Sequence, residues 1–220
     1  MRLAREVERR LERLVDGATA AVFRGTMHPV DIADRLVRQA DFVVEDGDSG
    51  PFIPNEWTVK IHASDLPPGV STPTLETELA RALADLAAQR AWKTNGPVSV
   101  EIEPDDAVPK GLTDCSGTTA PGDLEPWAQL VSASPPLVIE IGDNRAVLGR
   151  ALECDAVIAV PELSRRQALI ARADHETTIV DLSSVNGTFV NGDRISTDPH
   201  PLMPGDTVTM GDIDFIFRTV

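Results

Sequence analysis

The stretch SSVNGTFVNG, residues 183–192, sets two Asn-Gly pairs five positions apart inside a run of β-forming residues. Asn-Gly suits the tightest hairpin turn, because both central residues of that turn need positive φ. On either side the pattern continues: WAQLVSA, PLVIEIG, RAVLG, AVIAV, ALIARA and TTIVDL precede it, and DTVTMG and DFIFRTV follow, each closed by turn residues. No helical period interrupts them between 125 and 220. Many short strands with turns every eight to twelve residues or so predict an all-β sandwich or barrel.

Upstream the period changes. Residues 3–22 place Leu3, Val7, Leu11, Leu14, Ala18 and Val22 at steps of three and four, which predicts a helix with one apolar face. Pro29 opens a second helix with Ile32, Ala33, Leu36, Val37 and Ala40 as its buried stripe. EDGDSGP (45–51) reads as a turn cluster, and WTVKIHA as a half-buried strand with PFIPN as its edge partner. GDSG within that cluster resembles a protease nucleophile segment or a KH loop, but acidic neighbours and a turn context leave it as turn chemistry. Thr72 and Pro73 start a third helix, with Leu75, Leu79, Leu83 and Leu86 buried and an end near Trp92; PVSVEIE (97–103) is a second strand. Residues 1–104 therefore read as an α+β domain of three helices and a small sheet. Residues 105–124, DDAVPKGLTDCSGTTAPGDL, lack an apolar period and read as a flexible linker to the β domain of 125–220.

Composition narrows the function. A formal charge of −15 argues against nucleic acid as a partner. No window approaches an uncharged membrane span, and the charged N-terminus does not resemble a signal peptide, so a cytoplasmic protein without integral membrane insertion is expected. Cys115 and Cys154 form no CxxC, and the four histidines lack ligand spacing. Neither a metal nor another cofactor is implied. With no nucleophile–base pair or nucleotide loop in view, a non-enzymatic protein is expected.

Three polar signals interrupt the strands: Gly149-Arg150, Ser164-Arg165-Arg166 and Ser184-Val185-Asn186-Gly187. All fall at strand ends, and in a sandwich such loops gather on one rim. Between 145 and 172 five arginines stand against three acidic residues, a local excess of positive charge in an acidic chain. Guanidinium forks with a serine hydroxyl beside them suit a phosphate monoester, and the Asn186 amide suits an extended peptide backbone.

The order GR, then SRR, then DLSSVNGTFVNG resembles the forkhead-associated (FHA) domain, a β-sandwich that reads phosphothreonine in peptides. The resemblance implies that Arg150 and Ser164 bind the phosphate, Arg165 assists or contacts the peptide, and Asn186 holds the ligand backbone. Gly149 and Gly187 would shape the loops. Gln167 stands where the family usually has a supporting His, and Val185 where many members carry a hydroxyl residue that reaches the phosphate. Asn191-Gly192 has the plainer role of a hairpin turn. RLAREVERRLERLVDG, PNEWTVKIHASDL and WKTNGPVSVEIEPDD resemble the N-terminal domain of actinobacterial FhaA-type proteins, which are linked to Ser/Thr kinase signalling and cell-envelope growth. The expected role is an adaptor that binds a phosphothreonine-containing protein, a Ser/Thr kinase or its substrate, and is brought to the membrane by that partner. The alternative is a phosphorylation-independent scaffold with a degenerate pocket. Thr113, Thr118 and Thr119 in the expected linker are candidate phosphorylation sites.

Overall fold

The computed structural model describes residues 27–47, 49–66, 71–174 and 176–220, so the helix predicted over 3–22 lies outside the described residues. The chain divides into two compact units, one built on residues up to Asp46, Phe52–Ala87 and Thr94–Asp123, the other on Gly47–Pro51, Ala88–Lys93 and Leu124–Val220.

In the first unit helix α1 (Pro29–Phe42) starts where its sequence predicts. Pro29 occupies the first turn, where its missing N–H is no loss, and the His28 ring accepts the Val30 N–H at 3.3 Å. Ile32, Ala33, Leu36 and Ala40 form its buried stripe. Strands β1 (Glu45–Gly47) and β2 (Gly50–Phe52), whose residues are divided between the two units, pair with each other. The turn cluster is thus a short two-stranded ribbon, and PFIPN is not the partner of the next strand. Both edges of that strand, β3 (Glu56–Ile61), are already taken.

On one edge of β3 lies β4 (Ser99–Pro104), parallel, with Trp57 opposite Val100 and Val59 opposite Ile102. A parallel pair needs a long crossover, and helix α2 (Thr72–Gln89) supplies it. Ser71 accepts the Leu75 N–H at 3.0 Å and so takes the cap position expected of Thr72. The helix stops at Gln89, short of Trp92, and Ala91 turns the backbone left-handed at φ 51°. On the other edge of β3 lies β5 (Thr113–Thr118), antiparallel, with Val59 opposite Cys115. The stretch read as a linker therefore contributes a strand. Its residues are small or polar on both faces, and an edge strand tolerates that because it is held through one row of backbone hydrogen bonds.

The second unit is a sandwich of two antiparallel-dominated sheets. One has the order β14-β11-β10-β8-β9 and the other β13-β12-β15-β16-β6-β7. The strands are β6 (Ala128–Ala133), β7 (Pro136–Ile141), β8 (Arg145–Gly149), β9 (Ala156–Val157), β10 (Ala168–Ala173), β11 (Glu176–Asp181), β12 (Thr188–Val190), β13 (Asp193–Arg194), β14 (His200–Pro201), β15 (Thr207–Met210) and β16 (Ile213–Thr219). Alternate residues of both sheets meet in one core, which includes Leu130, Leu148, Ile170, Ile179, Val208, Phe215 and Phe217. Each of the two phenyl rings contributes roughly 1.5–3 kcal/mol over leaving it exposed. AVIAV supplies only the two residues of β9, while β13 and β14 are too short to carry an alternating signal. The β12–β13 hairpin turns at Asn191 (φ 52°) and Gly192 (φ 89°), as the second Asn-Gly pair predicts.

Candidate functional site

Residue 149 ends β8 and lies against the loop that precedes β10. A β-carbon at Gly149 would stand 2.2 Å from the Arg165 carbonyl oxygen and 3.0 Å from the Arg166 α-carbon, so only glycine fits. That closeness lets Arg150 N–H donate to the Ser164 carbonyl and Ala151 N–H to the Arg165 carbonyl, each at 3.1 Å. The GR and SRR signals are thereby joined backbone to backbone. Cys154 reinforces the same place: its thiol donates to the Arg165 carbonyl at 3.0 Å, and burial pushes that thiol up from its ordinary value, so it stays protonated.

The third loop is tied on by side chains. Ser164 Oγ accepts the Val185 N–H at 2.9 Å, which leaves the serine proton to donate outward. Gln167, fully buried, accepts the Ser164 N–H on Oε1 and donates from Nε2 to the Gly187 carbonyl and Thr188 Oγ1, all at 3.0 Å. The Thr188 hydroxyl in turn donates to Asp181 Oδ1 at 2.8 Å. That carboxylate also receives the Ser184 N–H (3.0 Å) and hydroxyl (2.5 Å). Every polar group in this buried chain has a partner, which is the condition for such a network to rigidify the loops it joins.

These braces shape an open concavity of about 530 Å³ lined by Arg150, Pro161, Glu162, Leu163, Ser164, Arg165, Arg166, Val185 and Asn186. Of the residues expected to form the site, Arg150, Ser164, Arg165, Asn186 and Val185 share this lining; Gly149, Gln167 and Gly187 stand behind it. Neither Arg150 nor Arg165 enters an ion pair among the described residues. Two unneutralised guanidiniums and one hydroxyl donor converge on a single hollow, an arrangement suited to a phosphate dianion. Asn186 donates one amide proton to the Glu162 carbonyl at 2.9 Å, keeping its second N–H and its Oδ1 for a neighbour. Val185 is 85% exposed and offers the hollow an isopropyl group.

The Asp181–Thr188–Ser184 network and the Cys154 brace carry no local motif, and only the fold brings them together. Thr113 and Thr118 lie in β5 and Thr119 just beyond it; Thr118 and Thr119 are exposed and Thr113 half-buried. Among the described residues no group of three or more His, Cys, Asp or Glu is placed to hold a metal, and no helix is long and apolar enough to cross a membrane.

Comparison with known proteins places both halves. Residues 4–116 match the family model of the FhaA N-terminal domain, and residues 146–211 match that of the FHA domain. Over 137 residues the chain is 30% identical to the FHA domain-containing protein FhaA of Mycobacterium tuberculosis. Over 131 residues it is 34% identical to the ABC transporter ATP-binding/permease protein Rv1747 of the same organism. These alignments take in 61% and 59% of this chain but only 26% and 15% of the two relatives. A solved structure of the N-terminal FHA domain of S. cerevisiae Rad53p, in complex with a phosphothreonine peptide, aligns over 43% of this chain and 94% of its own at 19% identity and a TM-score of 0.39. The first of the two family matches alone spans just over half of the sequence, and the chain belongs to the FhaA N-terminal domain family, with an FHA domain behind it.

Proposed function

We propose that the β-sandwich of residues 125–220 binds phosphothreonine-containing proteins and that the chain is a non-catalytic adaptor in Ser/Thr kinase signalling. The observation that carries this reading is the convergence of Arg150, Ser164, Arg165 and Asn186 on one hollow, with unpaired guanidiniums in a chain of charge −15. The phosphate enters between Arg150 and the Ser164 hydroxyl, Arg165 holds its remaining oxygens or the peptide, and Asn186 holds the ligand backbone. The acidic body repels polyanions at a distance, so the site selects a compact dianion on a peptide. By likeness to FhaA, the partner is a Ser/Thr kinase or its substrate on the cytoplasmic side, tied to cell-envelope growth, and it recruits the adaptor to the membrane. Thr119, exposed and outside the strand, is the best placed of the three candidate phosphorylation sites.

Titration of the full chain with matched peptides carrying phosphothreonine, phosphoserine or threonine tests the proposal. Phosphothreonine-selective binding that Arg150→Ala abolishes is the expected result. One observation favours the second reading, a scaffold that docks partners without phosphate: Val185 supplies no hydroxyl to the hollow. Partner binding that survives Arg150→Ala would establish it.

A further inference from the structure

We propose that the groove between α1 and the open edge of β5 binds an extended acidic segment of a partner protein, taken up as an added strand. The groove, about 590 Å³, is walled on one side by Arg35, Arg38, Gln39 and Phe42 and on the other by Leu112–Cys115. The four α1 residues follow the spacing i, i+3, i+4, i+7, so they share one helix face, distinct from the buried stripe of Ile32, Leu36 and Ala40.

The strand edge fixes the form of the occupant. Among the described residues β5 pairs with β3 alone and ends its sheet, so alternate N–H and C=O groups along it point away from any strand described. Such an edge is a template for an extended peptide, with main-chain hydrogen bonds for affinity and side-chain pockets for choice of sequence. An anchor stands beside it. Phe42 is 84% exposed, the one aromatic among the large hydrophobic side chains standing in solvent in the described residues, and Leu112, 49% exposed, lies on the facing wall. An aromatic on the lip of a groove is the usual core of a peptide contact once water is excluded around it.

Charge selects between occupants. The charged groups lining the groove are Arg35, Arg38 and Asp114, an excess of positive charge in a chain of −15. Arg35 is held by donating to the Gly111 carbonyl at 2.7 Å, while Arg38 is exposed and has no ion pair among the described residues. At contact range two guanidiniums against one carboxylate favour a short acidic segment over a basic one, whereas a second copy of this chain would bring a whole acidic body against the first. An acidic segment with an aliphatic residue for Phe42 and Leu112 meets both walls. The surface acts independently of the phosphate hollow.

The test uses the full chain and unphosphorylated eight-residue peptides that place Asp or Glu beside Leu, Ile or Val, with Lys-substituted peptides as controls, read by fluorescence anisotropy. The acidic peptides bind and the Lys peptides do not. Phe42→Ser and Arg38→Glu each weaken binding by roughly tenfold or more, since a central anchor is worth upwards of about 1.4 kcal/mol. Arg150→Ala leaves it unchanged, and hydrogen exchange slows at the β5 amides that face away from β3. Phe42 is exposed, so its replacement leaves the fold intact, which circular dichroism verifies. The proposal is overturned if no peptide is retained by the folded chain, if the two variants bind as well as the parent, or if β5 exchange is unmoved. Self-association that Phe42→Ser abolishes would also overturn it, by making a second copy the occupant.

Discussion

Gly149 sits so close to Arg165 that a β-carbon would overlap the Arg165 carbonyl oxygen, at 2.2 Å. The oxygen belongs to backbone that itself accepts hydrogen bonds from Ala151 and Cys154, so it cannot swing aside as a side chain would. Gly149→Ala is expected to force the two loops apart at a cost of about 1–3 kcal/mol, the range of overpacking in a filled site. Urea denaturation measures that cost. Phosphopeptide affinity is expected to fall further than the stability does, because Arg150 and Ser164 lie on the two segments being separated.

Gln167 offers a second test, through the loops it joins. Gln167→Ala leaves the Ser164 N–H and the Gly187 carbonyl without their buried partner, at about 1–3 kcal/mol for each orphaned group. Gln167→His is more informative. A neutral imidazole can accept from Ser164 and donate toward Gly187, but a protonated one can no longer accept, and an unperturbed histidine protonates near pH 6.5 or so. The parent's binding should follow only the second ionisation of the ligand phosphate, near pH 6 or thereabouts, whereas the histidine variant should lose affinity more steeply on acidification. Isothermal titration between pH 5.5 and 8 distinguishes the two; parallel curves would mean that residue 167 does not couple to the hollow.

These two residues also mark where the sequence is legible. Glycine before Arg150 is visible in the chain, and so is the order of the three polar loops, because turn chemistry and strand alternation are local. The reason for Gly149 is not, since the atoms it avoids are sixteen positions away. The same holds for Gln167, whose partners at 164, 187 and 188 come from two loops. β5 was unreadable for another reason. TDCSGT has no alternation, and the strand exists because β3 has an unfilled edge.

Val185 bears on how tightly the hollow holds its ligand. The backbone N–H of Val185 is bound to Ser164 Oγ, and its side chain, 85% exposed, adds no donor. Val185→Thr is close in volume and brings a hydroxyl to the same rim. A hydrogen bond to a charged group is worth roughly 1.5–3 kcal/mol, so phosphopeptide affinity is expected to rise about tenfold or more, with no change for the unphosphorylated peptide. An equal gain for both peptides would place residue 185 against the peptide rather than its phosphate.

Asp206 ties fold stability to pH through the turn that precedes β15. Its carboxylate accepts the Asn191 side-chain N–H at 2.8 Å and the Met203 N–H at 2.7 Å, and these two bonds hold its pKa below the usual aspartate value. Both stabilise the charged form, so the folded chain binds this proton less readily than the unfolded chain does. The stabilisation is fully present above the unfolded pKa, near 4 or so, and is lost as pH falls through the lower folded value. Asp206→Asn removes the charge while keeping the shape. The parent should therefore be more stable than the variant from pH 5 to 8, with the gap closing below about pH 4. Chemical denaturation of both chains across that range measures it, and a gap that stays constant into acid would show that the Asn191 and Met203 bonds do not depend on the charge of Asp206.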